Sequence, residues 1–339
     1  MELNHKGPMI VAELSGNHNG SLERAIELME LAASSGADAV KIQTYTEDSL
    51  TLNSTRPEFQ LQGGLWGGQS YYDLYKKAKT PREWMKPLFA HAKAHNIFLF
   101  SSPFCKDDVD CLEEADCPVY KIASYELNDV ELIDYCALKG KPMVMSTGLA
   151  IEEEIDRAVR IVRSHGIKDL TLLHCESRYP AIPELFNLNS IPYLKEKYQC
   201  KTGLSNHALG DELDIAATAL GADMIEKHFI DDRSLGGVDS AFSMDPADLK
   251  KLAHDTCMIA TALGKKEVHL QDDEYGMRAG RRSIYLVKDI KAGEVLTKEH
   301  VRSVRPCIGL EPYLLDTVLG KKAKTDLKNP LPLKATDFE

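Results

Sequence analysis

The chain has 339 residues, with 41 lysines and arginines against 52 aspartates and glutamates, so its formal net charge is −11. That length is enough for one large domain and one small domain, and 43% hydrophobic residues is the composition of a globular protein. The acidic balance argues against nucleic acid or an anionic membrane as a partner, although a local basic pocket can still hold a phosphorylated substrate.

No targeting or membrane-spanning signal is visible in the sequence. Residues 1–8 are polar and lack the apolar centre of a signal peptide, and no apolar run approaches the roughly 20 residues that cross a bilayer. The eight cysteines include no Cys-x-x-Cys pair. We therefore expect a cytoplasmic protein with reduced thiols. Cys175 is open to two interpretations, a buried structural thiol or a nucleophile.

Short apolar runs alternate with helical patterns along most of the chain. The first run, at residues 9–13, is followed by a turn-rich loop and by a helix that Ser21 can cap and Gly36 ends. Further strands are predicted at residues 39–43, 97–100, 119–122, 142–145, 170–173, 202–204 and 224–225. Helical patterns between them include residues 82–94, 129–138, 151–164 and 210–220.

Eight strands that alternate with helices predict an α/β fold with a parallel sheet. The total length favours a (β/α)8 TIM barrel over an open doubly wound sheet, and no Gly-x-Gly-x-x-Gly follows the first strand. We predict that residues 1–265 form this barrel as the catalytic domain.

The segment 52–75 interrupts the alternation. It is too long for an ordinary connection and carries Trp66 and three tyrosines among four glycines. Long ordered loops commonly lie over binding sites. The segment is therefore interpreted as a substrate lid, with an interface loop as the alternative.

After Gly264 the pattern changes again. Residues 266–280 are charged and are interpreted as a linker, and residues 281–339 as a small C-terminal domain. About sixty residues form only a marginal core. We therefore expect this domain to pack on the barrel or on a second subunit.

Polar residues collect where the predicted strands end, which is where barrel enzymes carry their chemistry. The set contains three lysines, Lys41, Lys121 and Lys227, and a buried ammonium needs a partner. A bound anion would satisfy the first two lysines, whereas the alternative is pairing with Glu13, Glu126 or Glu226. The other members of the set include Gln43, Ser102, Ser124, Ser146, Tyr179 and Ser205.

Two further members, His207 and His228, end consecutive predicted strands. In a parallel sheet those strands lie about 4.8 Å apart, so the imidazoles could share one metal ion. The alternative is two unrelated histidines. Nitrogen and oxygen ligation suits Mn²⁺ or another divalent ion, although zinc would bind more tightly. From the residues alone we predict a metal-dependent barrel enzyme that acts on an anionic, phosphorylated substrate.

At these residues the chain resembles the sialic acid synthase family, which condenses phosphoenolpyruvate with an N-acetylated amino sugar. The resemblance covers nearly the whole chain, and the tail resembles the antifreeze-like (SAF, β-clip) domain. The aromatic insertion looks most like the pseudaminic acid synthase branch, whose sugar is 2,4-diacetamido-2,4,6-trideoxy-L-altrose. The motifs that carry the resemblance include residues 12–13 with 17–20, residues 37–43, 102–104, 120–124, 146–148, 205–207 and 226–228.

The resemblance implies a role for each site residue. His207 and His228 would bind the divalent metal, with Mn²⁺ expected and Mg²⁺ or Co²⁺ as substitutes. The phosphoenolpyruvate ligands would be Lys41, Ser102, Lys121, Ser124, Ser146 and Ser205. The residues facing the sugar or the attacking water would be Glu13, Gln43, Glu126, Tyr179 and Asp239. Glu13 is preferred as the carboxylate that assists water, with Glu126 as the alternative.

The resemblance also implies an assembly. Arg305 would reach from the small domain into the barrel of a second subunit, which makes a domain-swapped homodimer. Ser177 stands where an asparagine is expected in sialic acid synthases, and this difference bears on sugar specificity. The alternatives are an N-acetylneuraminate or legionaminate synthase and, in another class, a non-catalytic carbohydrate-binding or polysaccharide-assembly protein.

Overall fold

The computed structural model describes residue 3 and residues 5–339. The chain divides into two compact units, which meet in sequence between Gly264 and Lys265. Each unit has its own hydrophobic core. Within the described residues, no helix combines the length and the apolar character needed to span a bilayer.

The first unit is a closed barrel of eight strands in sequence order. All neighbouring strands are parallel, and β8 pairs with β1 so that Glu13 lies opposite His228. The predicted TIM barrel is therefore confirmed. The strands are β1 Met9–Glu13, β2 Ala39–Thr44, β3 Leu99–Pro103, β4 Tyr120–Ile122, β5 Met143–Ser146, β6 Leu170–Cys175, β7 Lys201–Asn206 and β8 Met224–His228.

Most helices of this unit lie outside the barrel and bury one stripe each. In the seventh helix, residues 155, 158, 159 and 162 are buried, and this i, i+3, i+4, i+7 spacing marks the face toward the core. The helices of this unit are α1 Leu22–Ser34, α2 Glu47–Leu50, α3 Tyr71–Ala78, α4 Met85–Ala94, α5 Lys106–Glu114, α6 Val130–Leu138, α7 Glu152–Ser164, α8 Ser190–Tyr198, α9 Glu212–Ala219 and α10 Pro246–Ala262.

The strands are buried on both faces, which is why they read as nearly continuous apolar runs in sequence. One glycine is needed for strand spacing: a Cβ on Gly203 would lie 2.0 Å from the carbonyl oxygen of Met224. Only glycine therefore allows β7 and β8 to pair at this position.

Several strands run further than the sequence pattern indicated. The structure extends β3 to Pro103, β7 to Asn206 and β8 to His228. Polar residues end these strands and resemble loop residues, but their backbones continue the ladder, as Asn206 does opposite Lys227. The segment 52–75 also differs from a plain loop, because α3 begins within it at Tyr71.

The second unit contains a small antiparallel sheet with strand order β10-β9-β11. Its elements are β9 Ser283–Leu286, β10 Val301–Val304, the helix α11 Leu315–Val318, and β11 Leu331–Pro332. The buried hydroxyl of Ser283 accepts hydrogen bonds from the backbone N–H groups of Ile308 and Gly309 and donates one to the carbonyl of Pro306. Residues 266–280, predicted as a linker, include two 3-10 turns, Asp272–Glu274 and Gly276–Gly280.

Candidate active site

A buried cluster of two lysines and two glutamates lies at the C-terminal end of the barrel. Lys41 forms an ion pair with Glu13, and its Nζ lies 3.5 Å from Oε1 of Glu226. Lys121 Nζ donates to both carboxylate oxygens of Glu226, at 3.0 and 3.1 Å. The alternative of lysine–glutamate pairing is therefore realised through Glu13 and Glu226, but not through Glu126.

The charges of this cluster respond to burial and to one another. Burial alone would raise the pKa of Glu226, but Lys121 and Lys41 hold it well below its usual range. Burial lowers the pKa of Lys121, and the attraction of Glu226 only partly offsets this. Glu226 is therefore ionised, and an added anion would favour the charged form of Lys121.

Hydroxyl groups surround the lysines and leave capacity for an anion. Lys41 Nζ lies 3.4 Å from Oγ of Ser102, and Ser205 donates to Glu226. Within the described chain, the buried hydroxyl of Ser146 has no hydrogen-bond partner. Because each ammonium has three N–H donors, the cluster can bind oxygen atoms of a ligand as well as the glutamates.

A glycine makes room for two more hydroxyls. A Cβ on Gly148 would lie 2.1 Å from Oγ of Ser177 and 2.7 Å from Oγ of Ser124. Cys175 is buried beside them, with its Sγ 3.5 Å from Oγ of Ser177 and 3.8 Å from Nδ1 of His207. Burial would raise the pKa of the Cys175 thiol, but the neighbouring His207 holds it below its ordinary value.

The two predicted metal ligands lie side by side. Strands β7 and β8 are parallel neighbours, and the ring centroids of His207 and His228 are 5.3 Å apart. Oδ2 of Asp239 lies 3.5 Å from Nδ1 of His228. Phe242 packs on both rings and Tyr179 lies 4.4 Å from the His207 ring.

The arrangement fits a divalent cation. Nδ1 of His228 is buried and lacks a hydrogen-bond partner among the described residues. Nδ1 of His207 lies 3.3 Å from the carbonyl oxygen of Glu176, which leaves Nε2 as the free ligand atom. Two imidazoles and a nearby carboxylate are a ligand set that keeps positions open for a substrate.

A cavity of about 320 Å³ opens beside the histidines. The segment 52–75 and α3 supply aromatic side chains to its wall, and Trp66 donates from Nε1 to the carbonyl of Val238 at 2.8 Å. These contacts favour the lid interpretation of the segment over the interface loop. The lining includes Gln43, Tyr45, Trp66, Tyr71, Tyr75, Phe104, Tyr125, Glu126, Tyr179, His228 and Asp239.

Glu126 is the carboxylate of this cavity that lacks a cation partner. It ends the 3-10 turn Ser124–Glu126, and within the described chain its solvent-shielded Oε2 has no hydrogen bond. Burial raises the pKa of Glu126 to about 7, although Lys121 opposes the shift. The group is therefore able to change its protonation state near neutral pH.

Comparison with known proteins identifies the family. Residues 28–268 match the NeuB family and residues 281–339 match the SAF domain. The chain belongs to the NeuB family. Both resemblances found in the sequence, to the sialic acid synthases and to the antifreeze-like domain, are thereby confirmed.

Individual relatives of this NeuB-family chain match nearly end to end. It is 45% identical to the pseudaminic acid synthase of Campylobacter jejuni subsp. jejuni serotype O:2 over 334 residues, 98% of this chain and 97% of the relative. It is 43% identical to the pseudaminic acid synthase of Helicobacter pylori over 333 residues, 98% of each.

A solved structure has the same fold. The crystal structure of N-acetylneuraminic acid (sialic acid) synthetase from Leptospira borgpetersenii serovar Hardjo-bovis, in complex with citrate, superposes with a TM-score of 0.72 at 30% identity. The match covers 82% of this chain and 94% of that chain.

Most of the predicted site residues of this NeuB-family chain meet in the barrel. Arg305 belongs to the second unit, where it is exposed after β10. Glu226 was named only as a possible partner of the lysines, although it contacts both of them. Its position on the same face as His228 could have been found, because it lies two positions before His228 on the same strand. Phe242 lies in a turn far from any strand end, so no sequence pattern marked it.

Proposed function

We propose that this chain is a pseudaminic acid synthase. It would join phosphoenolpyruvate to 2,4-diacetamido-2,4,6-trideoxy-L-altrose and yield a nonulosonic acid and phosphate. The observation that carries the proposal is the position of the buried pair Lys41 and Lys121 beside the two-imidazole site of His207 and His228. Full-length similarity to pseudaminic acid synthases supports the choice of branch.

Phosphoenolpyruvate would lie against the lysine–glutamate cluster. Lys41 and Lys121 would neutralise its phosphate and carboxylate charges, because these ammonium groups are held in a site that excludes most water. The hydroxyls that would donate to its oxygens belong to Ser102, Ser124, Ser146 and Ser205.

His207 and His228 would hold a divalent cation, Mn²⁺ or in its place Mg²⁺ or Co²⁺. When bound, such a cation supplies Lewis-acid polarisation of the sugar aldehyde oxygen. Oδ2 of Asp239 lies 3.5 Å from Nδ1 of His228, close enough to add a carboxylate oxygen to the ligands of such a cation. The chain's own residues then position the enol carbon of phosphoenolpyruvate for attack on the aldehyde carbon.

Water must then add to the former enol carbon, and phosphate leaves with its bridging oxygen. Glu126 is our choice for the group that accepts the proton of this water, because its pKa is near neutral and it has no cation partner. This proton balances the one that the new sugar hydroxyl takes up. Glu13, which we preferred from the sequence, is already committed to Lys41.

The aromatic cavity would receive the amino sugar. Gln43, Tyr179 and Asp239 would contact its polar groups, and the aromatic walls would contact the acetamido methyls and the 6-methyl. Against the face of an aromatic ring, a methyl group gives up no hydrogen bond to water, whereas a hydroxymethyl does. The cavity therefore favours a 6-deoxy diacetamido sugar over N-acetylmannosamine.

The proposed assembly is a domain-swapped homodimer in which Arg305 completes the barrel site of a second subunit. Large apolar side chains are exposed on the connections that follow the C-terminal ends of the strands, and such a rim marks an interaction surface. These residues are Leu149, Ile151, Ile182, Leu185, Leu209 and Leu235.

The test is phosphate release. Purified protein with Mn²⁺ and phosphoenolpyruvate should release phosphate with the altrose sugar, and much less with N-acetylmannosamine or the legionaminate precursor. The double variant His207→Ala/His228→Ala should release none at saturating substrate, whereas the exposed control His254→Ala/His269→Ala should match the wild type. Full turnover by the first variant would refute the metal role. Sugar binding without phosphate release would indicate the non-catalytic alternative.

A further inference from the structure

We propose a second metal site, on the outside of the barrel, formed by Glu30 of α1 with His91 and His95 at the end of α4. It would bind Zn²⁺ or another divalent transition-metal ion with a similar preference for nitrogen ligands. One nitrogen from each histidine and one carboxylate oxygen of Glu30 all lie within 4.8 Å of one another. The site shares no residue with the barrel mouth.

The two histidines are already arranged to bind one metal ion. They are one helical turn apart, and their rings stack with centroids 4.0 Å apart and planes 18° apart. Nε2 of His91 lies 2.8 Å from Oε1 of Glu30, so the carboxylate already points at the pair. Residues four apart on a helix face the same side, which is the spacing that lets both imidazoles reach one ion.

The tautomer of His95 also favours metal binding. Its Nδ1 lies 2.9 Å from the carbonyl oxygen of His91, and a carbonyl oxygen can only accept, so Nδ1 carries the hydrogen. The lone pair is therefore on Nε2. Metal-bound histidines commonly donate their other ring N–H to a backbone carbonyl in this way, which orients the ring.

The local charge favours a cation. His91 lies in the last turn of α4 and His95 directly follows it, at the helix end that carries partial negative charge. Glu30 adds a full negative charge. Two imidazoles and one glutamate are a zinc ligand set, and nitrogen-rich sites prefer Cu²⁺ and Zn²⁺ to Mn²⁺. The outer site should therefore differ in metal preference from the inner site.

Occupancy of this site would join two neighbouring helices of the barrel wall. Because α1 follows β1 and α4 precedes β3, segment 52–75 and α3 lie between the two helices in sequence. The ion would therefore connect two helices that are far apart along the chain. An ion that binds the folded chain and not the unfolded chain raises the stability of the fold. The outer site would thus be a structural staple and not a catalytic centre.

Zinc stoichiometry tests the proposal. In equilibrium dialysis with Zn²⁺ alone, the full chain should bind two ions, and both His91→Gln/His95→Gln and His207→Ala/His228→Ala should bind one. The inner-site variant should still show a Zn²⁺-dependent rise in its thermal unfolding midpoint, and adding Glu30→Gln should reduce that rise. His254→Gln, at an exposed histidine, is the matched control and should change nothing.

The outcomes separate this proposal from the proposed function. Loss of all zinc from the inner-site variant, or an unchanged stoichiometry in His91→Gln/His95→Gln, would overturn the outer site. Phosphate release by His91→Gln/His95→Gln should equal that of the wild type, since neither histidine belongs to the barrel mouth. If the chain releases no phosphate with any sugar, the zinc count of the inner-site variant still tests the outer site.

Discussion

Glu126 shows how a single side chain is adjusted by its surroundings. Its carboxyl is half-buried in the cavity, where Tyr75, Tyr125 and Tyr179 also line the wall. Burial raises its pKa to about 7, Asp129 adds to the rise, and Lys121 opposes it. A carboxyl that is half ionised at neutral pH is well matched to accepting a proton from water.

The pH dependence of activity tests this assignment. Only the ionised carboxylate can accept a proton, so kcat/KM of the wild type should rise as the pH passes about 7. In Glu126→Gln the rising limb should disappear and kcat should fall by about 10²- to 10⁴-fold. Phosphate release measured from pH 5.5 to 8.5 gives both results. The exposed control Glu131→Gln should keep the wild-type profile.

Stability should change in the opposite sense to activity. The folded pKa of Glu126 is raised from the ordinary 4.5, so the folded state holds the proton more tightly and stability falls as the pH rises from about 4.5 to 7. Above that range, Glu126→Gln should therefore unfold at an equal or higher urea concentration than the wild type. A variant that is both inactive and less stable at pH 8 would contradict the assignment.

Residue-scale features differ in how far the sequence reveals them. Because side chains alternate between the two faces of a strand, the sequence alone indicates that Lys41 and Gln43 share a face of their strand. It indicates the same for Glu226 and His228. The sequence named Glu13, Glu126 and Glu226 as possible partners of the lysines but did not single one out, because Lys121 meets Glu226 across the barrel from strands far apart in sequence. The choice between Glu13 and Glu126 depended on the pairing of Glu13 with Lys41.

At the scale of elements, the turn after β7 is held by a buried network. Lys227 donates to the carbonyls of Ala208 and Gly210 and pairs with Asp214 at 3.1 Å. Asn206 donates to Asp214 and accepts from the N–H of Ala208. This network fixes the backbone on either side of His207. Burial raises the pKa of Asp214 although Lys227 opposes this shift. Because burying two charges costs much of the energy that their attraction returns, the ion pair mainly positions the backbone and adds little to the free energy of unfolding.

Breaking this pair should loosen the metal ligand. Asp214→Asn leaves the ammonium of Lys227 buried without a counter-charge, which should cost about 3–5 kcal/mol of the free energy of unfolding. We also expect weaker Mn²⁺ binding, because the turn that carries His207 loses its anchor. Urea unfolding and equilibrium dialysis with Mn²⁺ measure the two effects. Glu114→Gln, which breaks the exposed pair with Lys86, is the matched control and should leave both unchanged.

The aromatic segment 52–75 yields a prediction about the sugar. Trp66 is held by the hydrogen bond to Val238 and packs 5.3 Å from Tyr179. Trp66→Phe removes the N–H donor, so KM for the sugar should rise by about 2- to 10-fold while KM for phosphoenolpyruvate stays constant. Steady-state kinetics with each substrate varied in turn measure the two KM values separately. The exposed Leu52→Ala in the same segment should match the wild type, and equal changes in both KM values would argue against a lid over the sugar.

Element-scale features were partly predictable. The alternation of apolar runs with helical patterns fixed the number of strands and their parallel order, because each run is buried on both faces. The strand ends were not predictable, since Ser102, Ser205 and Glu226 are polar in sequence and yet pair in the sheet. The helix α3 was hidden by the glycines that precede it.

At the scale of the whole molecule, the proposed domain swap makes a testable claim about subunits. We would mix Arg305→Ala with His207→Ala/His228→Ala after unfolding and refolding them together. If Arg305 acts on a second subunit, mixed dimers contain one barrel with intact histidines that is covered by an intact small unit. Activity should then recover to as much as about one quarter of the wild-type value.

A cis arrangement predicts the opposite result, because each chain would then carry one defective half of its own site. Mixed chains would stay inactive, which would rule out the swap. Two wild-type preparations treated in the same way are the control for refolding.

The domain boundaries at residues 265 and 280 remain predictions. The sequence pattern shows where the alternation of strands and helices ends, but not which surfaces the following residues contact.

Closure of the sheet between β1 and β8 has a consequence for synthesis. Glu13 emerges from the ribosome early, whereas its neighbour His228 follows more than two hundred residues later. Until then, β1 and the most recently made strand each have an edge of unpaired backbone N–H and C=O groups. Such edges can pair with strands of other chains. Both edges are covered only when β8 pairs with β1, and the barrel mouth, where Glu13 and His228 lie side by side, forms only at that point.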